Sequence, residues 1–229
     1  MSCSDYRARA RQDLTGKWAI ALLAALAAGI LGGLVTGSLG MSIDIDAEIM
    51  QELPPIVQGY LLAVGSVASL LALVRFVLGG VVRLGYCRFL LKMHDGEEAD
   101  IRDVFSQFSR FTDGFLLDLL TGLFVALWSL LLVIPGIIAS YRYAMAPFLM
   151  MENPGMKARE ALGASTELMD GHKGELFLLD LSFIGWDLLN ALTLGIGSLW
   201  LNPYSNAAYA AFYRSIRIQA LPEAVGVEF

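Results

Sequence analysis

Long runs of apolar residues constrain this chain more than any other feature of its sequence. Residues 18–43 and 53–74 contain no charged side chain, and residues 114–151 and 176–213 contain only two each. One crossing of a bilayer takes about 20 apolar residues. Hydrophobic residues make up 56% of the chain and charged residues 17%, against about 45–50% and about 25% in soluble domains. The sequence therefore excludes an ordinary soluble domain and predicts a multi-spanning membrane protein.

The positions of these runs predict an all-α protein with six transmembrane helices in a single integral membrane domain, residues 1–229. The two longer runs are interrupted at Pro135-Gly136 and at residues 195–197, so each holds two crossings. The predicted spans lie near 18–39, 55–78, 115–134, 137–151, 176–194 and 198–213. The second helix is expected to continue past Gly79-Gly80, because the apolar character persists to Met93.

The distribution of basic residues predicts the orientation. With the N-terminus inside, the outer connections are residues 42–53, 135–136 and 195–197, and none of them contains Lys or Arg. This agrees with the positive-inside rule. We therefore expect both termini on the cytoplasmic side of a bacterial inner membrane.

Amphipathic helices are predicted between the spans on the inner side, near 4–14, 100–112 and 154–170. Apolar residues recur there at helical spacing, as in interfacial helices. Asp100 and Asn153 are expected to cap two of them, with Pro154 at the first helical position. Glycine turns at Gly114 and Gly171 would lead into the next spans. The strings 115–119 and 177–181 are identical, Phe-Leu-Leu-Asp-Leu in both, which predicts a repeat of an inner helix followed by a hairpin.

Polar residues within the spans are the candidate site, because ionisable groups at bilayer depth are costly and usually face the protein interior. Arg142 and Asp187 are predicted at similar depth, which suggests an ion pair between them. These polar residues either line a cavity for a substrate, ion or lipid head group, or form hydrogen bonds between helices that stabilise the bundle. We favour the second interpretation. The candidate residues are Asp118, Arg142, Asp180, Asp187, Asn190, Asn202 and Asn206, with Tyr209 and Tyr213 on the same stripe as the last two.

Signatures of catalysis, metal binding and cofactor binding are not found. The chain has two histidines and two cysteines, and neither pair has metal-ligand spacing. Nucleophile-elbow and phosphate-loop motifs are missing. The net charge of -6 argues against nucleic acid as a partner. We therefore expect no cofactor and no enzymatic activity.

Several strings resemble a known family. Residues 128–148 read WSLLLVIPGIIASYRYAMAPF and are followed by Glu152-Asn153-Pro154, and residues 193–204 read TLGIGSLWLNPY. Together with residues 160–177 and 181–186, they resemble the bacterial integral membrane family known as domain of unknown function 975. That family is also weakly similar to the membrane portion of some glycerophosphodiester phosphodiesterases. The resemblance implies a location and a topology, and no catalytic residue. Its motif positions are Pro135, Gly136, Arg142, Pro147, Asn153 and Pro154.

The expected function is that of a non-enzymatic envelope component that assists or regulates membrane partners or handles lipid. The alternative is a small transporter or an export and resistance factor with a polar intramembrane cavity. Expected partners are membrane lipid and either another membrane protein or a second copy of the chain.

Overall fold

The computed structural model describes residues 2–32, 53–193 and 195–225, which form helices and connecting turns with no strand among them. The predicted all-α fold is thus confirmed. A short 3₁₀ turn, Phe108–Arg110, connects the helices Ile101–Phe105 and Phe111–Leu131. The helices are α1 Cys3–Leu14, α2 Trp18–Gly32, α3 Pro55–His94, α4 Ile101–Phe105, α5 Phe111–Leu131, α6 Val133–Tyr143, α7 Ala146–Glu152, α8 Ala158–Leu168, α9 Lys173–Leu181, α10 Ile184–Leu192 and α11 Ser198–Val225.

Three helical segments of the described chain are long and apolar enough to cross a membrane. They are Pro55–His94, Ile101–Leu131 and Val133–Glu152. A fourth arises only if Cys3–Leu14 and Trp18–Leu31 form one span across their 105° bend. Against the six predicted crossings, the described residues therefore contain three such segments, or four with the bent pair.

The remaining predicted spans differ from single long helices. The region near 176–194 is divided into α9 and α10, nine residues each, and each is only about 14 Å long at 1.5 Å per residue. They meet at Ser182-Phe183, where Arg7 Nη1 of α1 donates to the Ser182 carbonyl oxygen at 3.3 Å. The region near 198–213 is the first part of α11. Residues 33–39 of the predicted first span, and 42–52 of the connection after it, lie outside the described residues.

Exposed apolar side chains and the buried core occupy different parts of the molecule. Ile56 near the start of α3 is 88% exposed and Leu130 near the end of α5 is 89% exposed. From Gly79 onward α3 is mostly buried, and Phe89 there belongs to the same core cluster as Phe212 of α11. Such a continuous apolar exterior is unfavourable in water and matches a hydrocarbon surrounding.

The long helix α3 crosses α5 at a contact between two glycines. As predicted, α3 continues through Gly79-Gly80, and it reaches His94. A Cβ atom added to Gly80 would overlap the Gly114 carbonyl oxygen. The predicted turn at Gly114 is therefore wrong: this residue lies buried inside α5, and it is a glycine because two helix backbones approach each other there.

The beginnings of the inner helices are confirmed in one case and corrected in another. Asp100 caps α4 by accepting from the Arg102 amide at 3.1 Å, although this helix ends at Phe105 and is shorter than predicted. Asn153 ends α7 instead of starting α8, because a residue before proline is disfavoured in helical conformation. Pro154 then lies in a turn, and α8 begins at Ala158.

The two hairpin connections also differ from each other. The chain turns at Leu132, in extended conformation, and not at Pro135-Gly136, which lie in the first turn of α6. Proline is compatible with a first helical turn, and Gly136 lies directly against Ser129 of α5. In the second connection Gly195 has φ +86°, as expected of a glycine turn. Gly171 has φ +80° after α8, which confirms the predicted turn there. The internal repeat stays a prediction.

The Gly80–Gly114 crossing generates a stability prediction. We expect Gly80→Ala to lower the free energy of unfolding by about 1–3 kcal/mol, the usual cost of overpacking, because the two backbones must separate. Gly65→Ala on the same helix is the matched control, since nothing lies within 4 Å of its added Cβ atom. Thermal unfolding in mild detergent measures both variants. Equal midpoints for the two variants would contradict the close crossing.

Candidate functional site

Two adjoining cavities of about 390 and 410 Å³ lie between α3, α6, α9 and α11. We call them the first cavity and the second cavity, and together the Asp180 cavity, because Asp180 lines both. Ligand sites commonly measure about 300–1,000 Å³, so each is large enough for a small polar group. The residues that line both cavities are Tyr141, Asp180, Asn202, Ser205 and Tyr209.

Asp180 is the centre of this arrangement. Its Oδ2 accepts from the Tyr141 hydroxyl at 2.8 Å, and its Oδ1 accepts from the Tyr209 hydroxyl. Asp180 lies in the last turn of α9, where Leu176 and Leu179 are buried against the core. Their burial fixes the rotation of this short helix and thereby places the carboxylate between α6 and α11.

Four of the predicted site residues lie around this cavity. Asp180 at the end of α9 and Asp187 in α10 both line the second cavity. Asp187 is exposed at its rim. Asn202 lines both cavities and Asn206 the first. The Asn206 side-chain amide donates to the Asn202 carbonyl oxygen at 2.7 Å, so part of its hydrogen-bonding capacity is used within α11.

The other predicted residues lie elsewhere. Asp118 forms an ion pair with Arg83 at 3.1 Å, and it is linked to the first cavity only through that arginine. Asn190 lines a separate cavity with Trp186 and Trp200. Of the family-motif positions, Pro147 lines the first cavity, while Pro135, Gly136, Asn153 and Pro154 lie at the helix ends described above.

The predicted ion pair between Arg142 and Asp187 is wrong. No bridge joins the two residues, both of which the structure describes. Consecutive helical residues point about 100° apart, so with Tyr141 directed at Asp180, Arg142 is directed elsewhere. Its carbonyl oxygen accepts from Ser165 of α8 at 2.8 Å. The pKa of Asp170, which lies after α8, is lowered mainly by the hydrogen bond from Lys173, and the charge of Arg142 lowers it further.

Among the residues of the first cavity that sequence analysis missed are Arg83 and Tyr86 on α3. Tyr86 is 2% exposed, and its hydroxyl has no hydrogen-bond partner among the described residues. An unsatisfied buried hydroxyl costs about 1–3 kcal/mol. Neither residue could be recognised from its spacing, because both lie in a stretch that resembles a buried helix face.

A layer of ion pairs joins the helices at the end of the bundle that contains Glu152 and Arg214. Glu152 of α7 accepts from the Tyr213 hydroxyl at 2.5 Å and is bridged by Arg214 and Arg217 of α11. Arg214 also bridges Asp95 at the end of α3. Lys92 of α3 lies 2.8 Å from Asp103 of α4, which is buried. These contacts join α3, α4, α7 and α11 beside the Asp180 cavity.

Within residues 2–32, 53–193 and 195–225, no group of three or more His, Cys, Asp or Glu side chains lies close enough together to hold a metal ion.

Comparison with known proteins identifies one family. The profile of the family described as "Protein of unknown function (DUF975)" matches residues 1–135 and 129–220, which together cover nearly the whole chain. No curated protein and no solved structure matches. The expected weak similarity to glycerophosphodiester phosphodiesterases is not shown by these comparisons.

The ion pairs generate a prediction that separates the observed bridge from the rejected one. In a double-mutant cycle, Arg83→Gln and Asp118→Asn should couple by about 0.5–1 kcal/mol of unfolding free energy, the range for partly exposed pairs. About a third of each side chain is exposed.

The matched cycle uses Arg142→Gln and Asp187→Asn, for which we expect additive losses of unfolding free energy. Thermal or denaturant unfolding in mild detergent measures both cycles. Coupling in the second cycle and additivity in the first would reverse our assignment.

Proposed function

We propose that this chain, which belongs to the DUF975 family, is a non-enzymatic integral membrane component of the bacterial envelope that binds a ligand from the bilayer in its Asp180 cavity. In this role it handles lipid or regulates a membrane partner. The observation that carries the proposal is the carboxylate of Asp180, held by Tyr141 and Tyr209 at the junction of two cavities.

The surroundings of the cavity support a bilayer ligand. Phe177 and Leu181 of α9, which line the second cavity, are exposed on the apolar exterior, as is Ile184 of α10. A ligand could therefore leave its apolar part among lipid chains while its polar part reaches Asp180. Both oxygens of this carboxylate already accept from tyrosine hydroxyls, which favours a fixed binding group over a proton-transferring one.

The six-crossing topology with both termini in the cytoplasm is part of this proposal. Its support is the lack of Lys and Arg in residues 42–53, 135–136 and 195–197. The six-crossing topology requires α9 and α10 to form one transmembrane segment that is broken at Ser182-Phe183. Broken transmembrane helices occur in membrane proteins where the break is covered by protein. The hydrogen bond from Arg7 to Ser182 supplies such a cover.

A small transporter or export factor is the second candidate. Asp187 favours it, because an exposed carboxylate in a predicted span is expected beside a water-accessible path. Labelling of a cysteine placed at Asn206 by a water-soluble thiol reagent, in a variant without the two native cysteines, would support this candidate over lipid binding.

The ligand-binding proposal predicts an effect of Asp180→Asn. Native mass spectrometry of the protein in mild detergent should detect bound lipid, and the variant should retain at least about tenfold less, since a hydrogen bond to a charged group contributes about 1.5–3 kcal/mol. Asp170→Asn is the matched control, because the Asp170 side chain is 84% exposed and lies outside the cavity. Equal retention by the three proteins, all with the same unfolding midpoint, would refute binding at this cavity.

The topology has its own test. Green fluorescent protein fused after Phe229 should fluoresce, and alkaline phosphatase fused at the same point should be inactive, because the first matures in the cytoplasm and the second outside it. The opposite pair of results would place the C-terminus outside and reject the proposed orientation.

A further inference from the structure

Resting on the proposed function, we infer that the ligand of the Asp180 cavity carries an organic ammonium group with an oxygen-bearing group close to it. This chemistry is shared by the ethanolamine head group of a phospholipid and by a free small amine. The inference depends on the charges of the second cavity, its aromatic walls, and one buried hydroxyl in the first cavity.

The second cavity has an uncompensated negative charge. Asp180 and Asp187 both line it, and no Lys or Arg is among its lining residues. Arg83, which lines the first cavity, is already paired with Asp118. Within the described part of the chain no ion pair involves either carboxylate of the second cavity. In a medium of low dielectric, unpaired carboxylates are costly in free energy, and a bound cation would stabilise them.

The walls of this cavity favour an organic cation over a metal ion. Tyr141, Phe177, Phe183 and Tyr209 line this cavity together with the two carboxylates, and ammonium groups bind well against aromatic faces. A hard metal ion takes six or more oxygen ligands, whereas no third acidic, histidine or cysteine side chain joins these two among the described residues. An ammonium group needs only a few acceptors, which Asp180 and Asp187 provide.

The first cavity adds a position for a second polar group. Tyr86 is almost fully buried and lines this cavity, and its hydroxyl lacks a partner among the described residues. Ser140 and Asn206 line the same space. Since Asp180 lies at the boundary of both cavities, a ligand with its ammonium group at Asp180 can present an adjacent hydroxyl or phosphate oxygen to Tyr86.

The first arm of the test concerns lipid. The protein is equilibrated in vesicles containing equal amounts of phosphatidylethanolamine and phosphatidylglycerol with identical acyl chains, and the retained lipid is measured by native mass spectrometry. We expect phosphatidylethanolamine to be enriched about tenfold in the parent protein and in Asp170→Asn. The enrichment should be lost in Asp180→Asn and in Asp187→Asn, and reduced in Tyr86→Phe.

The second arm concerns a free amine. The unfolding midpoint in an uncharged detergent is measured with 2-hydroxyethylammonium, which carries both groups, and with its neutral counterpart ethylene glycol. A rise of the unfolding midpoint with the amine but not with its neutral counterpart, and its absence in Asp180→Asn, would support a small molecule as the source of the ammonium group. Enrichment in the first arm without this rise assigns the ammonium group to a lipid head group.

Failure of this inference is distinguishable from failure of the proposed function. If both lipids are retained equally and both are lost in Asp180→Asn, the cavity binds lipid but the ammonium assignment is overturned. If neither lipid depends on Asp180 and the amine has no effect, both are overturned. Asp187 is exposed at the rim, so Asp187→Asn still tests the charge requirement if Asp180→Asn fails to fold.

Discussion

One carboxylate joins three helices of this protein. Asp180 comes from α9, and the two phenol groups that donate to it come from α6 and α11. A charge in surroundings of low dielectric is tolerated only when it is paired or well hydrogen-bonded. The helices that supply the donors are therefore held at a separation set by two hydrogen bonds, and the space left between them is the pair of cavities. Position, shape and charge of the candidate site all depend on this one interaction.

The remainder of the bundle divides into two environments with different sources of stability. At the end that includes Glu152 and Arg214, ion pairs and a dense core of aromatic residues join the helices. Toward Ile56 and Leu130 the surface is apolar and exposed, and where α3 enters the buried part of the molecule its backbone lies close against α5 at Gly80 and Gly114. The Asp180 cavity lies between these environments, which suits a ligand with one polar and one apolar part.

Local patterns in the sequence were sufficient to predict the all-α fold, the continuity of α3, the cap at Asp100 and the glycine turn at Gly171. All of these depend on helical periodicity or on residues within one turn of each other. What depends on packing between distant elements could not be predicted. The rotation of α6 directs Arg142 away from Asp187, and the role of Gly114 follows from a helix about 30 residues earlier in the chain.

The length of α3 has a mechanical consequence. Its 40 residues measure about 60 Å, roughly twice the hydrocarbon thickness of about 30 Å. A rigid rod of this length adapts to a thicker or thinner bilayer by tilting. In the proposed topology the exposed half of the rod lies in the bilayer, and the other half carries Arg83 and Tyr86. A change of tilt would then displace one wall of the cavity against the other three helices, and bilayer thickness would be coupled to cavity width through a single continuous helix.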